Sequence, residues 1–158
     1  NLKYGSPNAT DEEIMAALKI VSADGIVAKS EKGLDTEVGE GGDLLSTGEK
    51  QLISFARAVL SDPKILVLDE ATSSIDTFTE QLIQNALDTV IEGRTSFMIA
   101  HRLSTVRNAD IILVVRDGKI VESGSHKELL DKKGYYYSLY TRQYEMEATD
   151  AAFKTLNA

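Results

Sequence analysis

Apolar positions along the chain follow two rhythms. Behind Thr10, Ile14, Ala17, Leu18 and Val21 recur at helical spacing. Glu13 stands three residues after Thr10 and acids fill the first turn, so a capped helix is predicted there. A weaker helical pattern through Ile26, Val27 and Ala28 breaks at Gly33, and glycines and acids then predict a loop over 33–43. Ser46-Thr47-Gly48-Glu49 is a second capping box, followed by Leu52, Phe55, Ala56, Val59 and Leu60 on one helical face. Asp62-Pro63 stops that helix, because proline disfavours helical geometry in the residue before it.

The rhythm then changes. Ile65 to Leu68 is an unbroken apolar run, the pattern of a parallel strand covered on both faces, and it ends in Asp69-Glu70. Leu82, Ile83, Ala86, Leu87, Val90 and Ile91 predict an amphipathic helix over 79–92, ended by Gly93. Thr95 to Ala100 reads as a second buried strand leading into His101, with a short helix over 103–107. Strands over 110–116 and 119–122 are joined by Asp117-Gly118, a hairpin dipeptide. Ser125 and Glu128 form a third capping box, and the tail from Tyr135 reads as helix that frays. Strand, helix, strand behind a helical insert predicts α/β architecture. In such sheets ligands gather at the carboxyl ends of strands, where Asp69, Glu70 and His101 stand.

Composition narrows the function classes. The 158 residues suffice for one domain with a core. A net charge of −8 argues against nucleic acid, whose binding is driven by neutralising phosphates. With no cysteine there is no disulfide or thiolate–metal site. The longest apolar run, Ile111 to Val115, falls far short of the ~20 residues that span a bilayer. The chain opens on Asn1 without a signal-peptide pattern, and it contains no G-x-x-x-x-G-K-[ST] phosphate loop.

Three places carry candidate chemistry, each with a plainer reading beside it. Asp69-Glu70 could serve metal and water chemistry or only solvate a turn. The helix start at Ser46 and Gly48 offers unpaired N–H groups to an anion, yet Ser46 and Glu49 can satisfy each other. His101 could be a hydrogen-bonded structural histidine. His126 reads as a helix-start residue, and Tyr136, Tyr140 and Tyr144, one turn apart, as a packing stripe.

The ordered set LSTGEKQ (45–51), ILVLDEATSSID (65–76) and MIAHR (98–102) closely resembles the nucleotide-binding domain of ATP-binding-cassette (ABC) transporters. In that family these are the signature motif, the Walker B strand with the D-loop, and the switch histidine. The resemblance runs from Asn1 to about Tyr144 and implies a partial P-loop NTPase core of the ABC type with a helical signature subdomain. It implies residues 1–61 as that subdomain, 62–125 as the Walker B and switch-histidine part of the core, and 126–158 as a C-terminal helical segment. The phosphate loop and glutamine loop are expected upstream, with Asn1 to Gly5 resembling the segment just after the glutamine loop in exporters.

By the same resemblance Asp69 would help hold Mg²⁺, Glu70 would orient the attacking water, and His101 would sense the γ-phosphate of ATP. Ser46, Gly48, Glu49 and Gln51 would meet ATP held on a second nucleotide-binding domain, identical or not. Asp76, with Ser73, Ser74 and Ile75, would cross that interface. The motif departs from the usual LSGGQ at Thr47 and Glu49, which implies weaker binding in trans. Thr36 to Glu40 resembles a loop that touches the cytoplasmic ends of transmembrane helices in exporters; on its own the acid run over 37–43 is a solvated loop. The implied function is ATP hydrolysis powering export at the cytoplasmic face of a membrane, with this chain nearly inert alone. Alternatives are a non-catalytic fragment docking on a partner nucleotide-binding domain, or a head fragment of a DNA-repair-type ATPase. The acidic balance, the TEVGE loop and the absence of heptads count against the last.

Overall fold

The computed structural model describes residues 1–69, 76–100 and 106–156, with side chains to 145. It forms two compact units, Asn1–Met98 and Ile99–Ala158. The predicted short helix over 103–107 lies largely outside the described residues.

In the first unit Thr10 caps α1 (Asp11–Ile20): the Glu13 N–H donates to Thr10 Oγ1, and Glu13 Oε2 accepts from the Thr10 N–H. Ile14, Ala17 and Leu18 turn inward, with Val21 fully buried just beyond. The weaker pattern gives a five-residue α2 (Asp24–Ala28). The glycine-rich stretch after it holds 3-10 turns at Gly33–Asp35 and Glu40–Gly42. α3 (Thr47–Ser61) buries Leu52, Ile53, Phe55 and Ala56, while Val59 and Leu60 pack half-buried against the same core. It ends at Asp62, which is left-handed (φ 41°, ψ 55°), as Pro63 requires it to leave helical geometry.

β1 (Ile65–Asp69) follows, then α4 (Thr77–Ile91) and β2 (Thr95–Ile99), which pairs with β1. α4 places Ile83, Ala86, Leu87 and Val90 in the core shared with α1 and α3. Fully burying the Ile, Leu and Val side chains among these stabilises by about 1.5–3 kcal/mol each. Leu66, Leu68 and Met98 project into that core from the two strands. The expectation that β1 is covered on both faces does not hold. Leu66 is 7% exposed, but Ile65 is 62% and Val67 73% exposed. Successive side chains of a strand point to opposite faces, and the helices of this unit cover only one.

In the second unit the hairpin forms with β3 (Ile112–Arg116) antiparallel to β4 (Lys119–Gly124), Arg116 opposite Lys119. Asp117 and Gly118 both have positive φ (51° and 73°), as the tight turn matching strand twist demands. Ser125 caps α5 (His126–Lys132) with the third capping box. α6 runs over Tyr135–Leu156. A small core joins Val114, Leu129 and Tyr136.

Candidate functional site

α3 presents its N-terminus at Ser46. The Glu49 N–H donates to Ser46 Oγ at 3.3 Å, while Glu49 Oε2 accepts from the Ser46 N–H at 2.9 Å and from its hydroxyl at 2.8 Å. The Glu49 carboxylate thus closes a reciprocal cap with Ser46 and adds negative charge beside this positive helix end. Ser46 and Thr47 are exposed, Glu49 and Gln51 half-buried, and Gly48 buried in the first turn. The four candidate positions Ser46, Gly48, Glu49 and Gln51 therefore share about one and a half turns at one end of a helix about 22 Å long.

Asp69 closes β1 and is exposed. Ile65, Val67 and Asp69 alternate along the strand, so the carboxylate leaves from the uncovered face. Nothing in the unbroken apolar run signalled that bareness. Glu70, Ser73, Ser74, Ile75 and His101 lie outside the described residues. Among the described residues no group of three or more His, Asp or Glu side chains could hold a metal ion. No described helix is long and apolar enough to cross a membrane.

Asp76 is the N-cap of α4, with its Oδ1 accepting from the Thr79 N–H at 3.0 Å. Those hydrogen bonds from Thr79 hold its carboxyl below the usual range. The plainer capping reading of Asp76 is thus satisfied in full.

In the second unit His126 does more than start a helix. Its Nδ1 lies 2.7 Å from the Tyr136 hydroxyl, and its ring packs edge-on to Tyr136 and tilted against Tyr140. Tyr136, Tyr140 and Tyr144 stack in succession, the packing stripe their spacing predicts. The sequence signal for the histidine contact was weak, since it bridges ten residues and two helices.

Comparison with known proteins agrees with this arrangement. The family model described as ABC transporter matches residues 7–73. ABC transporter B family member 4 of Dictyostelium discoideum is 53% identical over 143 residues, covering 90% of this chain and 19% of that protein. In Bacillus subtilis (strain 168), the uncharacterized ABC transporter ATP-binding protein YknV is 54% identical over 144 residues, covering 91% of this chain and 24% of that one. The probable multidrug resistance ABC transporter ATP-binding/permease protein YheH of the same strain is 54% identical over 143 residues, covering 90% and 21%. A bacterial Atm1-family ABC exporter with ATP bound superposes with a TM-score of 0.79 at 44% identity, over 90% of this chain and 25% of its own. The chain thus spans a fifth to a quarter of the length of these relatives. Sequence and architecture together place it in the ABC transporter family, as part of an exporter-type ATP-binding domain.

Proposed function

We propose that this chain is the signature and Walker B portion of an ATPase module that powers export through a membrane transporter. What carries the reading is the pairing of two features in one unit: a helix N-terminus of signature sequence, and a strand that ends in an exposed carboxylate. Both fall within residues 7–73, which match the family model described as ABC transporter.

Asp69 suits magnesium chemistry. That ion is usually held by one or two carboxylates plus phosphates and water, and an exposed strand-end carboxylate supplies one such ligand. Magnesium would neutralise charge on the transferring phosphoryl group. Glu70 orients and polarises the attacking water, and His101 contacts the γ-phosphate and registers its loss. Catalysis of this kind is mostly positioning and charge stabilisation, which fits acids and an imidazole at strand ends.

Ser46, Gly48 and Gln51 act on ATP bound by a second nucleotide-binding domain. Glu49 modulates that contact, because its carboxylate must yield the helix end to a phosphate. Asp76 and the loop before it cross the dimer interface, and the transmembrane domains sit against the loop over 36–40. The module works at the cytoplasmic face of a membrane, with residues 1–61, 62–125 and 126–158 as its signature, Walker B and C-terminal parts. The sequence contains no phosphate loop, so by itself it offers ATP no such backbone cradle.

Two measurements test this. In the complete transporter, Glu70→Gln should lower ATP hydrolysis by about 10²-fold or more while ATP binding persists. The 158-residue chain should show no hydrolysis above background. Hydrolysis by that chain at a rate abolished by Glu70→Gln would overturn the assignment.

A further inference from the structure

We infer that His126 is a positioning residue for the switch histidine: clasped by Tyr136 and Tyr140, it fixes the helical turn at Val106 and Arg107, five and six residues beyond His101. The inference rests on the proposed function and extends it to a second histidine, one that acts through the chain rather than on the nucleotide.

Three observations converge on that turn. The ring cluster is built across elements. His126 opens α5, its Nδ1 meets the Tyr136 hydroxyl of α6 at 2.7 Å, and the Tyr140 ring lies 4.9 Å away between centroids. Glu122 of β4 accepts from the Tyr136 N–H at 2.9 Å, so the backbone and the hydroxyl of this buried tyrosine are both tied down. The second observation is packing: Val106 lies half-buried against the core of Val114, Leu129 and Tyr136, as Tyr140 does. The third is charge, since that of Arg107 acts on both His126 and Tyr136. An apolar side chain at 126 could fill the same space but could not orient the tyrosine hydroxyl. A reacting group is held in productive geometry by neighbours locked in this way.

The bond between the rings favours one protonation state. Burial, and then Tyr140, push the Tyr136 hydroxyl above its usual range, so it stays protonated and able to donate. Burial, and then Arg107, hold the His126 imidazole below its ordinary value, as a neutral acceptor. Among the described residues Arg107 is the charged group that acts on this ring, and Tyr136 and Tyr140 are the titratable groups that touch it. Protonation turns Nδ1 into a donor and sets a second positive charge against Arg107, which loosens the turn that carries it. Hydrolysis should therefore decline as pH drops through the lowered value.

The test uses the complete transporter. Tyr136→Phe keeps the ring and removes the donor, and His126→Leu removes the acceptor. His126→Asn keeps an acceptor near the place of Nδ1 and does not titrate. Tyr137→Phe takes a hydroxyl from a tyrosine of α6 outside the cluster. In the first two, hydrogen exchange at residues 106–109 should quicken and kcat should fall about two- to tenfold, the worth of one net hydrogen bond, with KM for ATP unchanged. His126→Asn should rescue both readouts, and Tyr137→Phe should leave both as they are. Between about pH 7.5 and 5.5, kcat should drop more steeply in the wild type than in His126→Asn, a comparison that stands even where His126→Leu fails to fold. Unchanged exchange in Tyr136→Phe, an unchanged kcat there while His101→Ala is inactive, equal losses in His126→Asn and His126→Leu, or parallel pH profiles would overturn the inference. Wild-type hydrolysis by His101→Ala counts against the proposed function alone, and faster exchange in Tyr136→Phe then still upholds the hold of His126 on the turn.

Discussion

Glu49 holds two offices at once. It completes the capping box of α3, and under the proposed function it places a negative charge beside the phosphate contact of Ser46 and Gly48. Glu49→Gln should separate these. Loss of the charge at the helix end costs about 0.5–1 kcal/mol, seen as a lower urea midpoint. ATP-dependent pairing of the complete nucleotide-binding domains should meanwhile tighten, because a neutral amide yields to phosphate more readily. Equal weakening of both would show that Glu49 assists nucleotide binding. His126 offers a test by pH. Partial burial, and then the charge of Arg107, lower its pKa from 6.5, so the folded state favours the neutral ring. Nδ1 and the Tyr136 hydroxyl share a hydrogen bond at 2.7 Å, and the neutral ring with its proton on Nε2 would be the acceptor in it. The folded chain binds fewer protons at this site than the unfolded one. Stability from His126 is therefore complete above pH 6.5 and falls as pH drops through the lower folded pKa. The urea midpoint should fall between about pH 7.5 and 5.5 by more in the wild type than in His126→Gln.

Between elements, the most telling contact is a cap supplied from a distance. Glu122 on β4 accepts from the Tyr135 N–H at 2.6 Å and the Tyr136 N–H at 2.9 Å, covering the first turn of α6. Gly134 makes this possible, since a Cβ there would collide with the Glu122 carboxylate. Glu122→Ala should cost about 1–2 kcal/mol in urea unfolding. Gly134→Ala should cost a similar amount, and the double variant little more than either, because both break the same cap. Local caps were legible in sequence: Thr10/Glu13, Ser46/Glu49 and Ser125/Glu128 each announce themselves within four residues. The Glu122 cap was not, as its partners stand 13 and 14 positions away and both are backbone groups, which no side-chain pattern marks. The same holds for β1. Four consecutive apolar residues signal a strand, but only the packing of neighbouring helices decides which two are covered. Of the candidate site, the helix end and Asp69 fall where the motifs predict them, because capping and strand termination are local events.

Across the first unit, the apolar core that joins helices to strands is supplemented by a polar corner. Arg94, at the entry to β2, donates to Asp62 Oδ1 at 2.6 Å and to the Val90 carbonyl at 2.6 Å, and the Thr95 N–H donates to the Lys64 carbonyl at 3.2 Å. The end of α3, the start of β1, the end of α4 and the start of β2 thus meet at one knot. Asp62 is largely exposed, so the ion pair itself adds little to stability. Its worth is directional. The far end of α3 and the root of the strand that bears Asp69 are therefore neighbours through Asp62, Arg94 and the Thr95–Lys64 hydrogen bond, and share one anchorage.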